Sequence, residues 1–235
     1  MRLGIITARG GSKRIPRKNI RLFCGRPIIA YSIQAALECG CFDEVMVSTD
    51  DDDIARVGCA YGAKVPFLRS TETSNDHATT AAALLEVFER YRNLGREVDL
   101  ACCIYPTAPF VTADRICCGL QMLESNADLI SVIAVAQFAA PIQRALRLSD
   151  ARVSLFQPEH LLSRSQDLEP AYHDAGQFYW LRVSDFMREP NLIGPRTGAQ
   201  IVPAWEVQDI DNEEDWILAE AKYRIFQERR ARETK

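Results

Sequence analysis

The order of apolar and polar positions along the chain predicts alternating strands and helices. Short apolar runs bounded by turn residues predict strands at 3–8, 44–48, 64–68, 99–105, 128–135, 177–183 and 200–203. Apolar residues at helical spacing predict helices at 27–39, 51–61, 78–91, 112–123 and 212–229. Such alternation is typical of βαβ units, so we expect an α/β fold around a mostly parallel sheet. The run 64–68 contains a proline and is expected at a sheet edge.

One segment, residues 137–168, interrupts this alternation. It mixes short alternating pieces with Pro, Ser and Asp and has no sustained period. We therefore predict a single domain over residues 1–235, with a small inserted arm at 137–168.

The charge balance of the chain excludes one class of partner. The sequence has 28 Lys and Arg against 32 Asp and Glu, which gives a net charge of -4. No overall positive field would attract a nucleic-acid backbone, so we expect no nucleic acid as a partner. The first apolar run is too short for a signal-peptide core or a membrane span, so we expect a cytoplasmic protein without a membrane anchor.

Eight cysteines are present, and none has the paired C-x-x-C spacing of a structural zinc site or a thioredoxin-like centre. Most of them lie in apolar runs. We expect small, buried, reduced side chains that fill the core, with a catalytic thiol as the minor alternative.

The most informative segment is the polar loop 9–19, which directly follows the first predicted strand. Ligand crevices of open α/β sheets lie at this end of the strands. Gly10 and Gly11 allow backbone N–H groups to approach a ligand closely, and Ser12 adds a hydroxyl. Five positive side chains can hold several phosphate oxygens at once: Arg9, Lys13, Arg14, Arg17 and Lys18. The loop therefore suits a polyphosphate, and a solvated basic loop without function is the alternative.

Two familiar phosphate motifs do not fit this loop. A P-loop needs four residues between its first Gly and the final Gly-Lys-Ser/Thr, whereas Gly10, Gly11, Ser12 and Lys13 are contiguous. A dinucleotide fingerprint needs a third glycine and a helix directly after it, and the sequence predicts neither.

Two pairs of acidic residues follow predicted strands. Asp209 and Asp211 alternate on a predicted strand end, so their carboxylates project to one side and can share a hard cation such as Mg²⁺. The alternative is that they cap the final helix together with Asn212. For Asp50 and Asp51 we favour an N-cap of the following helix.

Four segments resemble the signature of the CMP-sugar synthetases, the cytidylyltransferases that activate nonulosonic acids. They are ARGGSKRIPRKN at 8–19, VSTDD at 47–51, YPTAP at 105–109 and DIDNEED at 209–215. The resemblance implies a Rossmann-like, three-layer nucleotidyltransferase fold. It also implies transfer of CMP from CTP to the anomeric hydroxyl of a 2-keto sugar acid, with a divalent cation. In this family the segment that matches 137–168 reaches into a second subunit, so a homodimer is expected.

The resemblance assigns roles to residues around the nucleotide. It implies that Arg9, Ser12 and Lys18 contact phosphates, that Asn19 lies close to the nucleotide, and that Arg9, Lys18 and Asp211 are catalytic. The expected Mg²⁺ ligands are Asp209 and Asp211. The region expected to recognise the pyrimidine and ribose contains Arg69, Asp76 and Thr80.

The segments RSQD at 164–167 and AYHDAGQFYW at 171–180 look most like the pseudaminic acid branch of the family. Tyr105 stands where the family has Gln, and its flat apolar ring suits a sugar with a deoxy methyl terminus better than a glycerol side chain. Arg164 is a candidate clamp for the sugar carboxylate. His173 is either a substrate contact or a structural histidine, and Gln177 is expected at the substrate.

Two other functions stay open at this point. One is activation of a different sugar acid, namely legionaminic, N-acetylneuraminic or ketodeoxyoctonic acid. The other is a regulatory module that binds CTP without turnover.

Overall fold

The computed structural model describes residues 1–233. The strands of this part of the chain are β1 Arg2–Thr7, β2 Leu22–Phe23, β3 Arg26–Pro27, β4 Glu44–Ser48, β5 Leu100–Ile104, β6 Ser131–Gln137, β7 Leu146–Ser149, β8 Arg152–Leu155, β9 Tyr172–Arg182 and β10 Thr197–Ile201. Its helices are α1 Ile29–Glu38, α2 Asp52–Ala60, α3 Thr71–Ser74, α4 Thr80–Asn93, α5 Ala113–Ser125, α6 Val183–Arg188 and α7 Glu213–Glu233.

The centre of the fold is a six-stranded sheet, as counted over residues 1–233, in the order β10-β6-β9-β5-β1-β4. Strand β1 is parallel to β4 and β5, and β10 is parallel to β6. Strand β9 is antiparallel to both of its neighbours, β5 and β6. The predicted α/β fold with a mostly parallel sheet is confirmed.

Helices cover both faces of this sheet and form three layers. Successive side chains of a strand point to opposite faces, so Ile6 of β1 packs with α1, α2 and α5, whereas Ile5 packs with α4 and α6. Both isoleucines are fully buried. The sheet therefore has a hydrophobic core on each side, and its strand ends are held rigidly.

Helix α7 packs against the β2–β3 hairpin through a third, aromatic cluster. Phe23 makes edge-to-face contacts with Tyr31, Trp216 and Tyr223, with ring centroids 5.5 to 5.6 Å apart. This packing fixes the start of α7 next to the loop 9–19. No helix within residues 1–233 is long and apolar enough to cross a membrane.

The predicted edge strand at 64–68 is wrong. Lys64 alone makes an isolated parallel bridge, to Met46. Pro66 has no amide hydrogen to donate to a neighbouring strand, so pairing does not continue through it.

The expectation that the cysteines are buried is also only partly correct. Cys102 and Cys103 are fully buried in β5, but Cys59 and Cys118 are exposed. Both exposed cysteines lie on helices, where the outward face of an amphipathic helix carries them into solvent.

The segment 137–168 contains the β7–β8 hairpin and short 3₁₀ turns. Strands β7 and β8 pair with each other in a two-stranded sheet separate from the central one. Several of its apolar side chains face solvent, including Leu148, which is 73% exposed, and Leu162, which is 91% exposed.

Candidate active site

The basic loop 9–19 is fixed at both ends by hydrogen bonds. The N–H of Gly10 donates to Asp50 Oδ1 at 2.9 Å, and Asn19 Nδ2 donates to the carbonyl of Arg9 at 2.9 Å. A Cβ atom on Gly10 would lie 2.8 Å from Asp51 Oδ2, so glycine is required there. Asn19 is buried and holds the loop in addition to lining the cleft.

The loop forms one wall of a cleft of about 450 Å³. This volume lies in the range of small-molecule sites, roughly 300–1,000 Å³. Parallel strands β1, β4 and β5 all end at this side of the sheet, which is where such folds bind ligands. The predicted site residues that the structure brings together here are Arg9, Ser12, Lys18, Asn19, Arg69, Asp76, Thr80 and Tyr105. Among residues 1–233, the predicted metal ligands Asp209 and Asp211 do not line this cleft.

The cleft also contains residues to which the sequence assigned no individual role. They include Thr7, Thr73, Thr79, Pro106 and Thr107, and the loop cations Lys13 and Arg14 line the cleft as well. The threonines and the proline lie at or near the ends of strands and helices. Threonines at such positions are ordinary caps and turn residues, so the sequence alone gave no reason to choose them.

Asp76 faces the basic loop across the cleft. Arg9 Nη1 lies 3.0 Å from its Oδ1 and also donates to the carbonyl of Asn75 at 2.9 Å. Lys13 Nζ donates to the other carboxylate oxygen of Asp76. The hydrogen bond from Lys13 and the nearby positive charges lower the pKa of Asp76. Asp76 thus balances two loop cations in the free protein, and an anionic ligand would compete for the same cations.

Lys18 connects the loop to the segment before α7. Its Nζ donates to the carbonyl of Ile210 at 2.6 Å and lies 4.0 Å from Asp211 Oδ1. Burial lowers the pKa of Lys18, and the charges of Asp211 and Asp209 partly oppose this effect. The ammonium group is therefore held at a fixed place with few water molecules around it.

Asp209 and Asp211 suit a divalent metal ion. Partial desolvation and the negative charge of Asp211 raise the pKa of Asp209. The two residues are separated by Ile210 alone, and Asp211 lies beside Lys18 of the loop. Carboxylate oxygens are the donors that hard divalent cations prefer. The residues present therefore fit a hard divalent cation.

The alternative prediction for Asp209 and Asp211 is that they cap α7 together with Asn212. In the structure, the side chain of Asn212 caps this helix. Asn212 Oδ1 accepts from the N–H of Asp215 at 3.0 Å, and Asp215 Oδ2 accepts in return from the N–H of Asn212. The carboxylate of Asp211 instead accepts from Arg14 Nη2 at 2.6 Å.

The N-cap prediction is correct for Asp51. Its Oδ1 accepts from the backbone N–H groups of Asp53 and Ile54 at 2.8 and 3.0 Å, at the start of α2. Asp50 instead holds Gly10, so the two adjacent acids share the tasks of capping α2 and anchoring the basic loop.

Tyr105 directly follows β5 and lines the cleft. Its hydroxyl is 3.2 Å from Thr80 Oγ1, and its ring centroid is 5.1 Å from that of Tyr179. The Tyr179 hydroxyl donates to Asp174 Oδ2 at 2.5 Å. Burial raises the pKa of Tyr105, so its hydroxyl stays protonated and can donate to a ligand.

Arg69 is a buried cation at the base of the cleft. Its Nε donates to Ser48 Oγ at 3.1 Å, and its Nη2 donates to the carbonyl of Ser48 at the end of β4. Burial lowers the pKa of Arg69, whereas the charge of Asp50 acts in the opposite direction. The guanidinium therefore presents a fixed positive charge to the cleft.

Three residues predicted to bind the sugar do not line the cleft within the described part of the chain. Arg164 is exposed in the segment 137–168, and its Nε donates to Asp167 Oδ2 at 2.7 Å. His173 Nδ1 donates to the carbonyl of Asp174 at 2.9 Å. Gln177 is buried behind Tyr105, and its Nε2 donates to the carbonyl of Glu206 at 2.8 Å.

The three-layer fold, the basic cleft at the ends of its parallel strands and the nearby acidic pair are consistent with the class of nucleotidyltransferases, and the comparisons with known proteins show this class. The sequence profile described as cytidylyltransferase matches residues 3–215. The chain belongs to this cytidylyltransferase family, as its sequence motifs predict. Cytidylyltransferases of this type generally use a divalent metal ion.

Curated relatives cover nearly the whole chain. A pseudaminic acid cytidylyltransferase of Campylobacter jejuni is 40% identical over 96% of this chain and 97% of its own length. A CMP-N,N'-diacetyllegionaminic acid synthase of Legionella pneumophila is 31% identical over 96% of this chain and 97% of its own length.

A solved CMP-2-keto-3-deoxy-manno-octonic acid synthetase in complex with CTP has a similar fold. Its TM-score to this chain is 0.68, at 19% identity, over 97% of this chain and 99% of the other. At this identity the likeness concerns the fold.

Proposed function

We propose that the chain transfers CMP from CTP to the anomeric hydroxyl of pseudaminic acid and releases pyrophosphate. The similarity to the C. jejuni pseudaminic acid cytidylyltransferase, at 40% identity over 96% of the chain, supports this substrate. The observation that carries the proposal is that residues of the basic loop 9–19 and Tyr105 line one cleft. In this arrangement the basic loop would hold the triphosphate, and Tyr105 would contact the sugar.

The cations of the cleft position the triphosphate. Arg9, Lys18 and the hydroxyl of Ser12 supply donors for phosphate oxygens, and Arg14 stands beside Lys18. The anomeric oxygen of the sugar forms a bond to the α-phosphorus, while the bond from that phosphorus to the oxygen bridging to the β-phosphorus breaks. Negative charge grows on the phosphoryl and leaving oxygens, so fixed positive groups lower the barrier.

Asp209 and Asp211 would hold the divalent cation, which we propose is Mg²⁺. When bound, the ion supplies positive charge that offsets the charge of the triphosphate. Lys18 of the basic loop donates to the carbonyl of Ile210 and lies 4.0 Å from Asp211 Oδ1. It would therefore hold the phosphates next to this acidic pair.

Arg69 and Thr80 are proposed to contact the pyrimidine and ribose of CTP. Arg69 is fixed by Ser48 at the end of β4, and Thr80 opens helix α4. Asn19 holds the loop through Arg9 and completes the nucleotide side of the cleft. These contacts orient the nucleotide before the sugar arrives.

The sugar side is proposed to use Tyr105 as an apolar wall with one hydroxyl. Gln177 supports this wall from behind, since its carbonyl accepts from the N–H of Tyr105 at 3.0 Å. His173 lies near the start of β9, on the strand that also carries Gln177.

We further propose a homodimer in the cytoplasm. Arg164 lies on the arm at 137–168, away from the cleft of its own chain. In a dimer the arm would carry Arg164 to the cleft of the partner, where its guanidinium would bind the sugar carboxylate.

A panel of sugar acids at fixed CTP and Mg²⁺ tests the proposed reaction. Pyrophosphate release and formation of the CMP-sugar are measured with pseudaminic, legionaminic, N-acetylneuraminic and ketodeoxyoctonic acids. We expect the highest kcat/KM for pseudaminic acid, and Tyr105→Gln should shift the preference towards other acids. No product with any of the four acids would overturn the reaction, and a clear preference for another acid would overturn the substrate.

A further inference from the structure

Three cysteine thiols from two parts of the chain meet beside the sheet. Cys39 is the C-cap of α1, Cys41 lies two residues further on, and Cys117 lies in α5. Each sulfur is within 4.8 Å of the other two, and Cys41 Sγ is 3.2 Å from Cys117 Sγ. Neither half of the cluster has the C-x-x-C spacing of common zinc motifs, so the sequence alone did not indicate it.

We propose that Cys39, Cys41 and Cys117 form a binding site for one thiophilic divalent cation, such as Zn²⁺. Zinc binds thiolate sulfur at about 2.3 Å, so two sulfurs on one tetrahedral ion are roughly 3.8 Å apart. Cys41 Sγ and Cys117 Sγ are 3.2 Å apart and the other two pairs are within 4.8 Å, so small side-chain movements bring all three sulfurs to this separation. Three thiolates leave the fourth position of the ion for a solvent molecule.

The backbone between the first two cysteines is shaped for this convergence. Gly40 has φ of +64°, a conformation that glycine adopts readily, and it turns the chain so that both flanking side chains face α5. The N–H of Cys41 donates to Cys39 Sγ at 3.4 Å. Hydrogen bonds of this kind support the charged form of a metal ligand.

The positive charge of Arg2 also favours the charged form of Cys41, because it acts to lower the pKa of this thiol. Burial has the larger, opposite effect and raises the pKa of Cys39, Cys41 and Cys117. The metal-free thiols are therefore protonated and weakly nucleophilic, which does not favour a catalytic thiol. All three are only partly buried, so an ion can reach them from solvent.

The cluster lies away from the proposed reaction. Helix α1 connects the carboxyl end of β1 to the amino end of the parallel strand β4. Its C-terminus therefore lies at the amino ends of these strands, whereas the cleft lies at their carboxyl ends. An ion bound there would cross-link α1 to α5, two helices that pack together on one face. We expect it to raise the Tm without being required for turnover.

Cadmium titration of the full, reduced chain tests this site. Cd²⁺ bound to thiolates has a charge-transfer absorption in the ultraviolet, and competition with Zn²⁺ then gives the zinc affinity. We expect one ion per chain and a rise in Tm. Cys117→Ser should lower the affinity at least about 100-fold, since loss of an outer-shell partner alone costs up to that factor.

Cys118→Ser is the matched control, because Cys118 is the next residue of α5 and is exposed. This variant should bind Cd²⁺ and Zn²⁺ as the wild type does. If Cys117→Ser does not fold, Cys41→Ser provides the same comparison. No charge-transfer band in the reduced wild type, or equal zinc affinity in the wild type and the variant that lacks a cluster thiol, would overturn the proposal.

Discussion

Lys18 shows how the site sets the chemistry of a single residue. Its side chain donates to the carbonyl of Ile210, lies next to Asp211 and is 20% exposed. An ammonium group in such a place has lost part of its hydration, so it interacts strongly with an incoming phosphate. The same burial lowers the pKa of Lys18, so its positive charge is lost at lower pH than that of an exposed lysine.

The lowered pKa of Lys18 predicts an early loss of activity on the alkaline side. Burial, opposed by Asp211 and Asp209 and assisted by Arg14 and Arg9, makes Lys18 give up its proton at lower pH than an exposed lysine. As pH rises through this pKa, kcat/KM for CTP should fall. Lys18→Arg stays protonated, so the alkaline fall of its kcat/KM profile should begin at higher pH. If kcat/KM for CTP begins to fall at the same pH in both proteins, deprotonation of Lys18 does not cause the fall.

Asp211→Asn should lower the activity with little change in stability. The substitution removes the charge that, with Asp209, would hold the divalent cation, so kcat/KM should fall by at least about tenfold. The Tm should change little, because Asp211 is partly exposed and its ion pair with Arg14 lies at the surface.

Glu214→Gln is the control for this variant, since it removes an exposed charge from the first turn of α7. It should leave pyrophosphate release unchanged. Wild-type activity in Asp211→Asn, measured at several Mg²⁺ concentrations, would contradict the proposed metal site.

At the scale of elements, a buried carboxylate joins β4, α4 and the segment after α2. Glu44 starts β4, and its side chain is 1% exposed. It accepts from Arg96 Nη1 at 3.1 Å, from Lys64 Nζ at 2.7 Å and from the hydroxyl of Tyr91 at 2.5 Å. Although burial acts to raise it, these hydrogen bonds lower the pKa of Glu44 to about 2.

Glu44→Gln should lower the free energy of unfolding by about 2 kcal/mol at neutral pH, because hydrogen bonds to a charged acceptor contribute roughly this much. The stabilising effect of Glu44 is complete above its ordinary pKa of 4.5 and is lost as pH falls towards about 2. The free energies of unfolding of the two proteins, measured with urea, should therefore become equal as pH falls over this range. Glu124→Gln, which breaks an exposed pair with Arg2, should cost at most about 1 kcal/mol.

Particular elements also show what the sequence can and cannot predict. The apolar run at 44–48 is a strand with the predicted bounds, because a short buried strand between turn residues has few alternatives. The run at 64–68 has a similar composition but fails at its proline. The direction of β9 depends on long-range pairing with β5 and β6, which local apolar pattern does not encode.

In the candidate site, too, local features could be predicted from the sequence and long-range contacts could not. The basic loop 9–19 could be chosen from sequence because its glycines, serine and positive residues directly follow a strand. The roles of Arg9, Ser12, Lys18 and Asn19 within it came from the family resemblance. Asp76 faces that loop from a distant part of the chain, and its pairing with Lys13 depends on the fold.

At the scale of the whole molecule, the segment 137–168 exposes several apolar side chains. Leu148, Val153 and Leu162 are each more than half exposed on or near the β7–β8 hairpin. A two-stranded hairpin is marginally stable alone in water, so contact with a second copy would stabilise it. The proposed dimer buries this surface.

Leu148→Asp should therefore shift the protein from dimer to monomer. Leu148 is 73% exposed in the single chain, so the substitution should not disturb the fold of that chain. Sedimentation velocity over a range of concentrations measures the shift. Ile217→Asp places a charge at an equally exposed site on α7 and should remain dimeric; a wild type that is monomeric at every concentration would contradict the proposed dimer.

The central claim is that the basic cleft binds CTP through its phosphates. Calorimetric titration of CTP with Mg²⁺ into the wild type and Lys18→Ala tests it most directly. We predict one CTP per cleft in the wild type and an affinity at least about tenfold lower in the variant, since hydrogen bonds to charged groups contribute roughly 1.5–3 kcal/mol. No binding by the wild type, or equal affinity in the two proteins, would contradict the account.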